Sequence, residues 1–256
     1  MKKILIALLL IVLCVPCACA ENYSKMNYYD LSDKRQAVIN ELTKTNMEIG
    51  GWKKKNAPVP ASLVQKEKEL RKTLDEIDAV FGKTMNMTAF LSFSDMTISM
   101  VFKDKTLARE VRDQCGKASI DQVIKPEDIK RVDMITFSSK EPISSLLGVS
   151  FLVNCDFYMF VYSGKNLDDE LGDCVWIKNL FIDDSSIEAL PSWIGNLTNL
   201  ESLSISNTNV SKLPDSIGNL KNLKYLNISN TKITELPDSI YCLNLETFYK
   251  RGLDLD

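Results

Sequence analysis

The stretch LESLSISNTNVSKLPDSIGNLKNL, residues 200–223, decides the fold of this chain. Its apolar residues stand at Leu200, Leu203, Ile205, Val210, Leu213, Ile217 and Leu220. The same seven positions recur one unit earlier, at Ile177, Leu180, Ile182, Ile187, Leu190, Ile194 and Leu197. They recur again one unit later, at Leu223, Leu226, Ile228, Ile233, Leu236, Ile240 and Leu243. The offset is the same in both directions. One such unit cannot bury its apolar face alone, so consecutive units must stack and share a core. Within a unit, Leu203 and Ile205 alternate with Ser202, Ser204 and Ser206, which is strand periodicity with one buried face. Pro214 has no N–H to give a ladder and belongs outside the sheet.

The string LxxLxIxxTxVxxLPxxIGxLxxL over Leu200–Leu223, with Leu213-Pro214 and Ile217-Gly218, resembles the leucine-rich repeat family in its 23-residue class. The resemblance covers residues 157–249. The segment FKDKTLAREVRDQCGK followed by PEDIKRVDMITF resembles the helical N-terminal cap of bacterial secreted repeat proteins. It implies an α/β leucine-rich repeat solenoid, with one short parallel strand per repeat on the concave side and the LPxxI segment returning on the convex side. The family often has asparagine where this chain has Ser185, Thr208 and Thr231. A hydroxyl there makes fewer bonds to the neighbouring turn. Upstream, Phe157, Phe160, Tyr162 and Leu167 align with Leu200, Leu203, Ile205 and Val210, and Ile143 and Leu146 with Val210 and Leu213. That alignment sets Phe157 against Ile177, a shorter step than the one between the regular copies. The last copy is one position short near Asn244 and degrades to Phe248 and Lys250, as a terminal repeat should.

Residues 1–20 look like a secretory signal: Lys2 and Lys3, an apolar run from Ile4 to Val15, and Ala18-Cys19-Ala20 as the cleavage site, so the mature chain starts at Glu21. An uncleaved anchor or a lipoprotein through Cys14, Cys17 or Cys19 is the less favoured reading. Residues 21–100 form a helical hairpin module. Its first helix, 31–49, is capped by Ser32 and stopped by Gly50-Gly51; its second, 61–82, ends at Gly82. Leu63, Leu70, Leu74, Ile77 and Phe81 suit an intramolecular hairpin better than a coiled-coil dimer. Met96, Ile98, Met100 and Phe102 alternate like a strand, and 105–115 and a turn at Pro126 return to helix. Residues 101–256 form the repeat domain, with the helical cap at 101–131.

Outward strand positions build columns across the concave side. One is Met159, Asn179, Ser202, Tyr225, Thr247; the next is Val161, Phe181, Ser204, Asn227, Tyr249; the third is Ser163, Asp183, Ser206, Ser229, Arg251. Met159, Val161 and Phe181 should make an apolar patch at one end, which the hairpin could instead cover. Tyr225 and Tyr249 are anchors at the other. The expected ligand-binding set is Met159, Val161, Phe181, Asp183, Ser202, Ser204, Tyr225, Asn227 and Tyr249. Lys221, on the return side, should take no part.

Composition narrows the function. The chain has 256 residues, a net charge of −3 and no histidine. Histidine-dependent triads are excluded, and the weak negative charge offers nothing to nucleic acid. Four cysteines follow the signal segment; Cys155 and Cys174 fall at nearly equivalent points of adjacent repeats and form a possible disulfide. The acidic runs Asp168-Asp169-Glu170 and Asp183-Asp184 match no calcium loop and read as solvated turns. The expectation is an exported protein, secreted, periplasmic or in the cell envelope, that binds a protein or peptide through the concave face. It has no enzymatic activity, no cofactor, no metal, no nucleic-acid partner and no membrane span after signal cleavage. The alternative is a structural, self-assembling envelope protein, a homo-oligomer through its N-terminal helices.

Overall fold

A computed structural model describes residues 28–92, 96–137, 143–152, 155–159 and 162–253. The expected signal segment lies outside them. Six strands form one parallel sheet in sequence order: β1 (Met134–Phe137), β2 (Asp156–Met159), β3 (Asn179–Phe181), β4 (Ser202–Ser204), β5 (Tyr225–Asn227) and β6 (Thr247–Tyr249). Leu180, Leu203 and Leu226 are direct partners and fully buried. Behind each strand the chain returns through a 3-10 turn, at Val149–Phe151, Asp169–Asp173, Ser192–Asn196, Asp215–Asn219 and Asp238–Cys242. Pro191, Pro214 and Pro237 stand just before the last three, at φ −65°, −71° and −65°. The ring holds that φ without cost, and the missing N–H is not needed there. The architecture is a leucine-rich repeat solenoid preceded by helices. In this architecture the strands line the inside of the horseshoe, so the strand side is the concave one.

Gly195 and Gly218 let successive return turns touch. A Cβ on Gly195 would lie 2.6 Å from the Ser216 side chain, and one on Gly218 2.5 Å from that of Ser239. The next copy has Tyr241 at this position, 46% exposed. No described return turn stacks on it, so glycine is not required.

The expected short step is wrong. Phe157 pairs with Leu180 and Tyr158 with Phe181, the same offset as between the regular copies. The spacing continues beyond the strand: Tyr162 N–H donates to Ser185 Oγ, and Glu188 N–H to Lys165 O. Backbone pairing fixes the register, whereas the alignment follows side-chain type. Met159 therefore shares its register position with buried Ile182, and it pairs with Phe137.

Asp184, Asn207 and Asn230 stand at equivalent points of successive repeats, all left-handed at φ 53°, 56° and 55°. Asn207 Nδ2 donates to Asp184 Oδ1 and Asn230 Nδ2 to Asn207 Oδ1, tying the turns after the strands together. Short polar side chains tolerate this conformation better than others do. At the expected asparagine positions, Thr208 and Thr231 donate to carbonyls of their own repeats, Ile205 O and Ile228 O.

The N-terminal half departs from expectation in four places. Helix α1 (Tyr28–Lys54) starts ahead of Ser32, which is therefore not its cap, and runs through Gly50 and Gly51, and α2 (Ala61–Ser92) runs through Gly82. Residues 96–102 make no strand. Thr97 bridges Val123, and α3 (Ile98–Val101) follows, with Ile98, Val101 and Phe102 buried. Those three residues fit one face of a helical turn as well as part of the alternation does, and burial decides between them. Helix α4 (Lys105–Gln114) forms as expected: Asp104 Oδ1 accepts from Thr106 N–H and Leu107 N–H. Helix α5 (Pro126–Ile129) follows it. Gln114 Nε2 donates to Met134 O on the outer edge of β1, at 2.7 Å.

The hairpin does close on itself. Leu31, Val38, Ile39 and Leu42 of α1 meet Leu74, Ile77 and Val80 of α2 in a cluster separate from the repeat core. It lies along the convex side, against the return turns. A polar stripe on α1 lies along the return turns. Arg35 donates to Asn196 O (2.7 Å), Asn46 Nδ2 to Asn219 Oδ1 (2.8 Å), and Asn219 Nδ2 to Thr43 Oγ1 (2.9 Å). Cys242 Sγ donates to Asn46 O, and Lys54 meets Asp238 at 2.9 Å. Arg35, only 3% exposed, is also paired with Asp78. From α2, Arg71 donates to Asn219 O, and Glu67 pairs with Lys221 at 2.9 Å. Burial lowers the pKa of Lys221 despite that pairing. Burial works to raise the Glu67 carboxyl, but Lys221 and Arg71 outweigh it and hold it below its ordinary value. Lys221, expected only to stand apart from the binding face, is thus part of the hairpin seam.

Candidate binding face

The sheet pairs Asp156, Asn179, Ser202, Tyr225 and Thr247 in one column; Tyr158, Phe181, Ser204, Asn227 and Tyr249 share the next register. Met159 is not at an outward register position, and Val161 lies outside the described residues, so the expected patch of Met159, Val161 and Phe181 does not form as drawn. Tyr158 takes the register position assigned to Val161. Keeping the regular step through residue 156 would have found it.

Phe181 on β3 and Tyr225 on β5 lie two strands apart, yet their ring centroids are 6.1 Å from each other. Tyr225 and Tyr249 follow at 5.7 Å, edge to face. The intervening strand has only Ser202 and Ser204 at its outward positions, and these small residues let the rings approach. The result is an oblique aromatic row across the concave face, within the range where ring pairs attract. Phe181 and Tyr225 are half-buried, and Tyr249 is 52% exposed. Ser204, expected to be available, is 1% exposed. It lies beneath the row and donates to Asp183 Oδ1 at 2.5 Å. The same oxygen accepts from Ser206 N–H and Ser206 Oγ–H, both at 2.7 Å. Burial, then the nearby Asp183 carboxylate, raises the Tyr225 phenol above its ordinary pKa. Asn227 Oδ1 accepts from Ser229 N–H, and Ser202 remains partly exposed.

The acidic runs are not simply solvated. Asp168 accepts from Leu146 N–H and Ser145 Oγ–H. Glu170 accepts from Gly148 N–H and Ser150 Oγ–H, and Asp169 from Trp193 Nε1–H. These carboxylates join adjacent return turns. Among the described residues no group of three or more cysteine, aspartate or glutamate side chains is placed to hold a metal ion.

All four described cysteines are buried free thiols, and no bond joins Cys155 to Cys174. The two are not equivalent. Cys155 N–H donates to Leu152 O as Ile177 N–H does to Cys174 O, so Cys155 takes the Ile177 place and Cys174 the place before it. Burial pushes the Cys115 thiol up to about 11 and raises Cys155, Cys174 and Cys242 as well.

A parallel sheet built one strand per repeat unit, with proline-led return turns, defines a solenoid repeat protein. Within that class, residues 145–248 match the family model described as a leucine-rich repeat region. The match begins upstream of the stretch on which the sequence resemblance rested. Among solved structures, an internalin (inlF) from Listeria monocytogenes is 20% identical, with a TM-score of 0.45, over 61% of this chain and 59% of its own. The functional domain of InlJ from the same organism is 20% identical with a TM-score of 0.48, over 55% of this chain and 30% of its own. Its internalin C2 is 17% identical with a TM-score of 0.44, over 63% and 89%. This chain thus spans less than two thirds of the first two. No curated protein matches it. Leucine-rich repeat arcs are, as a class, protein-interaction folds whose extended concave surfaces take the partner. No described helix is long and apolar enough to cross a membrane.

Proposed function

We propose that the chain is an exported, non-enzymatic binding protein that takes a polypeptide partner on its concave face. The observation that carries this is the division of the two sides. The convex turns are engaged by α1 and α2 through named hydrogen bonds, while the concave side presents the partly exposed row Phe181, Tyr225 and Tyr249. Rigid aromatics on a sheet give contact area at low entropic cost and dominate interface energetics. Six strands about 4.8 Å apart span roughly 24 Å, the reach of an extended peptide or a protein loop. Leu31, Val38, Ile39 and Leu42 of α1 pack against Leu74, Ile77 and Val80 of α2, which argues against self-assembly through that face of the helices, although Trp52 and Val64 stay exposed.

The test is a peptide array probed with the full mature chain, followed by titration of the peptides that bind. Phe181→Ala and Tyr225→Ala should each weaken those peptides by about 1–2 kcal/mol while leaving the melting temperature near wild type. Lys212→Ala serves as the control in place of the engaged Lys221, since Lys212 is 65% exposed and pairs only loosely with Glu235 at 3.9 Å. It should change nothing. Binding lost in Lys212→Ala but kept in both aromatic variants would sink the concave reading.

Export rests on the N-terminal pattern Lys2-Lys3, apolar run, Ala18-Cys19-Ala20. Mass spectrometry of the exported protein should find Glu21 as its first residue. A lipid-modified cysteine at that terminus would replace this assignment with an anchored one.

A further inference from the structure

We propose that Asp183, with the Phe181 and Tyr225 rings beside it, seats one cationic side chain of the bound polypeptide, an arginine in preference to a lysine. The inference rests on the concave reading above and names the chemistry that reading leaves open.

Asp183 follows β3 on the concave side, one position beyond buried Ile182. Its Oδ1 is held by three donors, all from the next repeat: Ser204 Oγ, Ser206 N and Ser206 Oγ. That leaves Oδ2 accepting nothing from the described residues. No lysine or arginine among them lies within ion-pairing distance of Asp183, although the carboxylate is half-buried. A carboxylate fixed on one oxygen and open on the other is pre-set for a donor from outside, since its orientation costs nothing further on binding. The nearby Tyr225 ring, itself 6.1 Å from Phe181, adds π faces. A cation between ring face and carboxylate gains from both. Guanidinium suits the position better than ammonium because it is planar and can stack on a ring while turning one N–H edge to the open oxygen.

Charge along the third outward column agrees. It runs Asp183, Ser206, Ser229, Arg251 from β3 to β6, about 14 Å at the usual strand spacing. The negative group stands at one end and the chain's own positive group at the other. A partner's cation is therefore drawn to the Asp183 end and repelled from the Arg251 end.

Asp183 also has a structural role, in tying β4 to the turn of the preceding repeat. Asp183→Asn separates the two roles: the amide keeps Oδ1 as acceptor for the serines and removes the charge. The experiment uses the peptides that bind the full mature chain in a manner dependent on Phe181 and Tyr225. Each arginine or lysine in them is replaced singly, arginine by neutral citrulline and lysine by glutamine. At one position the replacement should weaken binding to the wild-type protein roughly tenfold. Asp183→Asn should weaken the unmodified peptide by a similar factor and leave the citrulline peptide unaffected, so that the double change costs no more than either alone. Should Asp183→Asn lower the melting temperature, the replacements against wild-type protein still decide. Aromatic-dependent peptides whose affinity ignores every cation replacement would overturn the Asp183 seat and leave the concave reading standing. An array with no aromatic-dependent peptide would remove both.

Discussion

Leu203→Ala lowers the unfolding free energy by about 2–5 kcal/mol, measured by chemical denaturation with the melting temperature as a second readout. Leu203 is fully buried, pairs with Leu180 on one side and Leu226 on the other, and belongs to the single core that the repeats share. Truncation removes the transfer free energy of the side chain and leaves a cavity between two neighbours that cannot close it independently. Both are locked into the same parallel register, which puts the expected cost in the upper part of the range. In a stacked repeat array the loss is felt at two interfaces, so the transition should also broaden as the terminal repeats uncouple. A change below about 1 kcal/mol, the level of an ordinary surface site, would mean that the column is not the core column.

Gly50→Ala destabilises the protein although it improves the helix. In the interior of an isolated helix, alanine is better than glycine by about 1 kcal/mol. Here the added Cβ would stand 1.9 Å from the Asp238 carbonyl oxygen and 2.9 Å from Ser239 N, both backbone atoms that cannot rotate away. Helix α1 must shift off the last return turn, straining the neighbouring contacts of Asn46 with Asn219 and Cys242 and of Lys54 with Asp238. The expected cost is about 1–3 kcal/mol, with faster hydrogen exchange in the second half of α1. Gly51→Ala is the matched control. Its Cβ would meet only the Asp238 carboxylate, at 3.5 Å, and the substitution should be neutral or stabilising. If Gly50→Ala is as stable as Gly51→Ala, the hairpin does not dock on the convex side as described.

The glycine pair shows where reading residues locally goes astray. Gly50-Gly51 carries the pattern of a helix stop, and it is a point of close approach between a helix and a turn near the other end of the chain. Gly82 is likewise passed through by α2. The 96–102 segment offers two periodicities, and burial of Ile98, Val101 and Phe102 selects the helical one. Lys221 looks like a solvated residue of the return turn, because nothing in its own repeat announces Glu67. In the candidate site, Phe181, Tyr225 and Tyr249 are legible as outward positions, while the burial of Ser204 under Asp183 and the meeting of rings two strands apart are not.

By itself, then, the sequence determined the solenoid, the one-strand-per-unit register of β3 to β5, the proline-led return turns and the alternation that turns Phe181 and Tyr225 away from the core. Each of these follows from a short-range period in which every unit meets a copy of itself, so one unit's pattern states its own packing partner. Only the tertiary structure decided which side of the arc the hairpin covers, which carboxylates are engaged and which glycines mark contacts. Those outcomes rest on pairs of residues distant along the chain and not repeated, such as Gly50 with Asp238 and Glu67 with Lys221, for which no periodicity exists to be read.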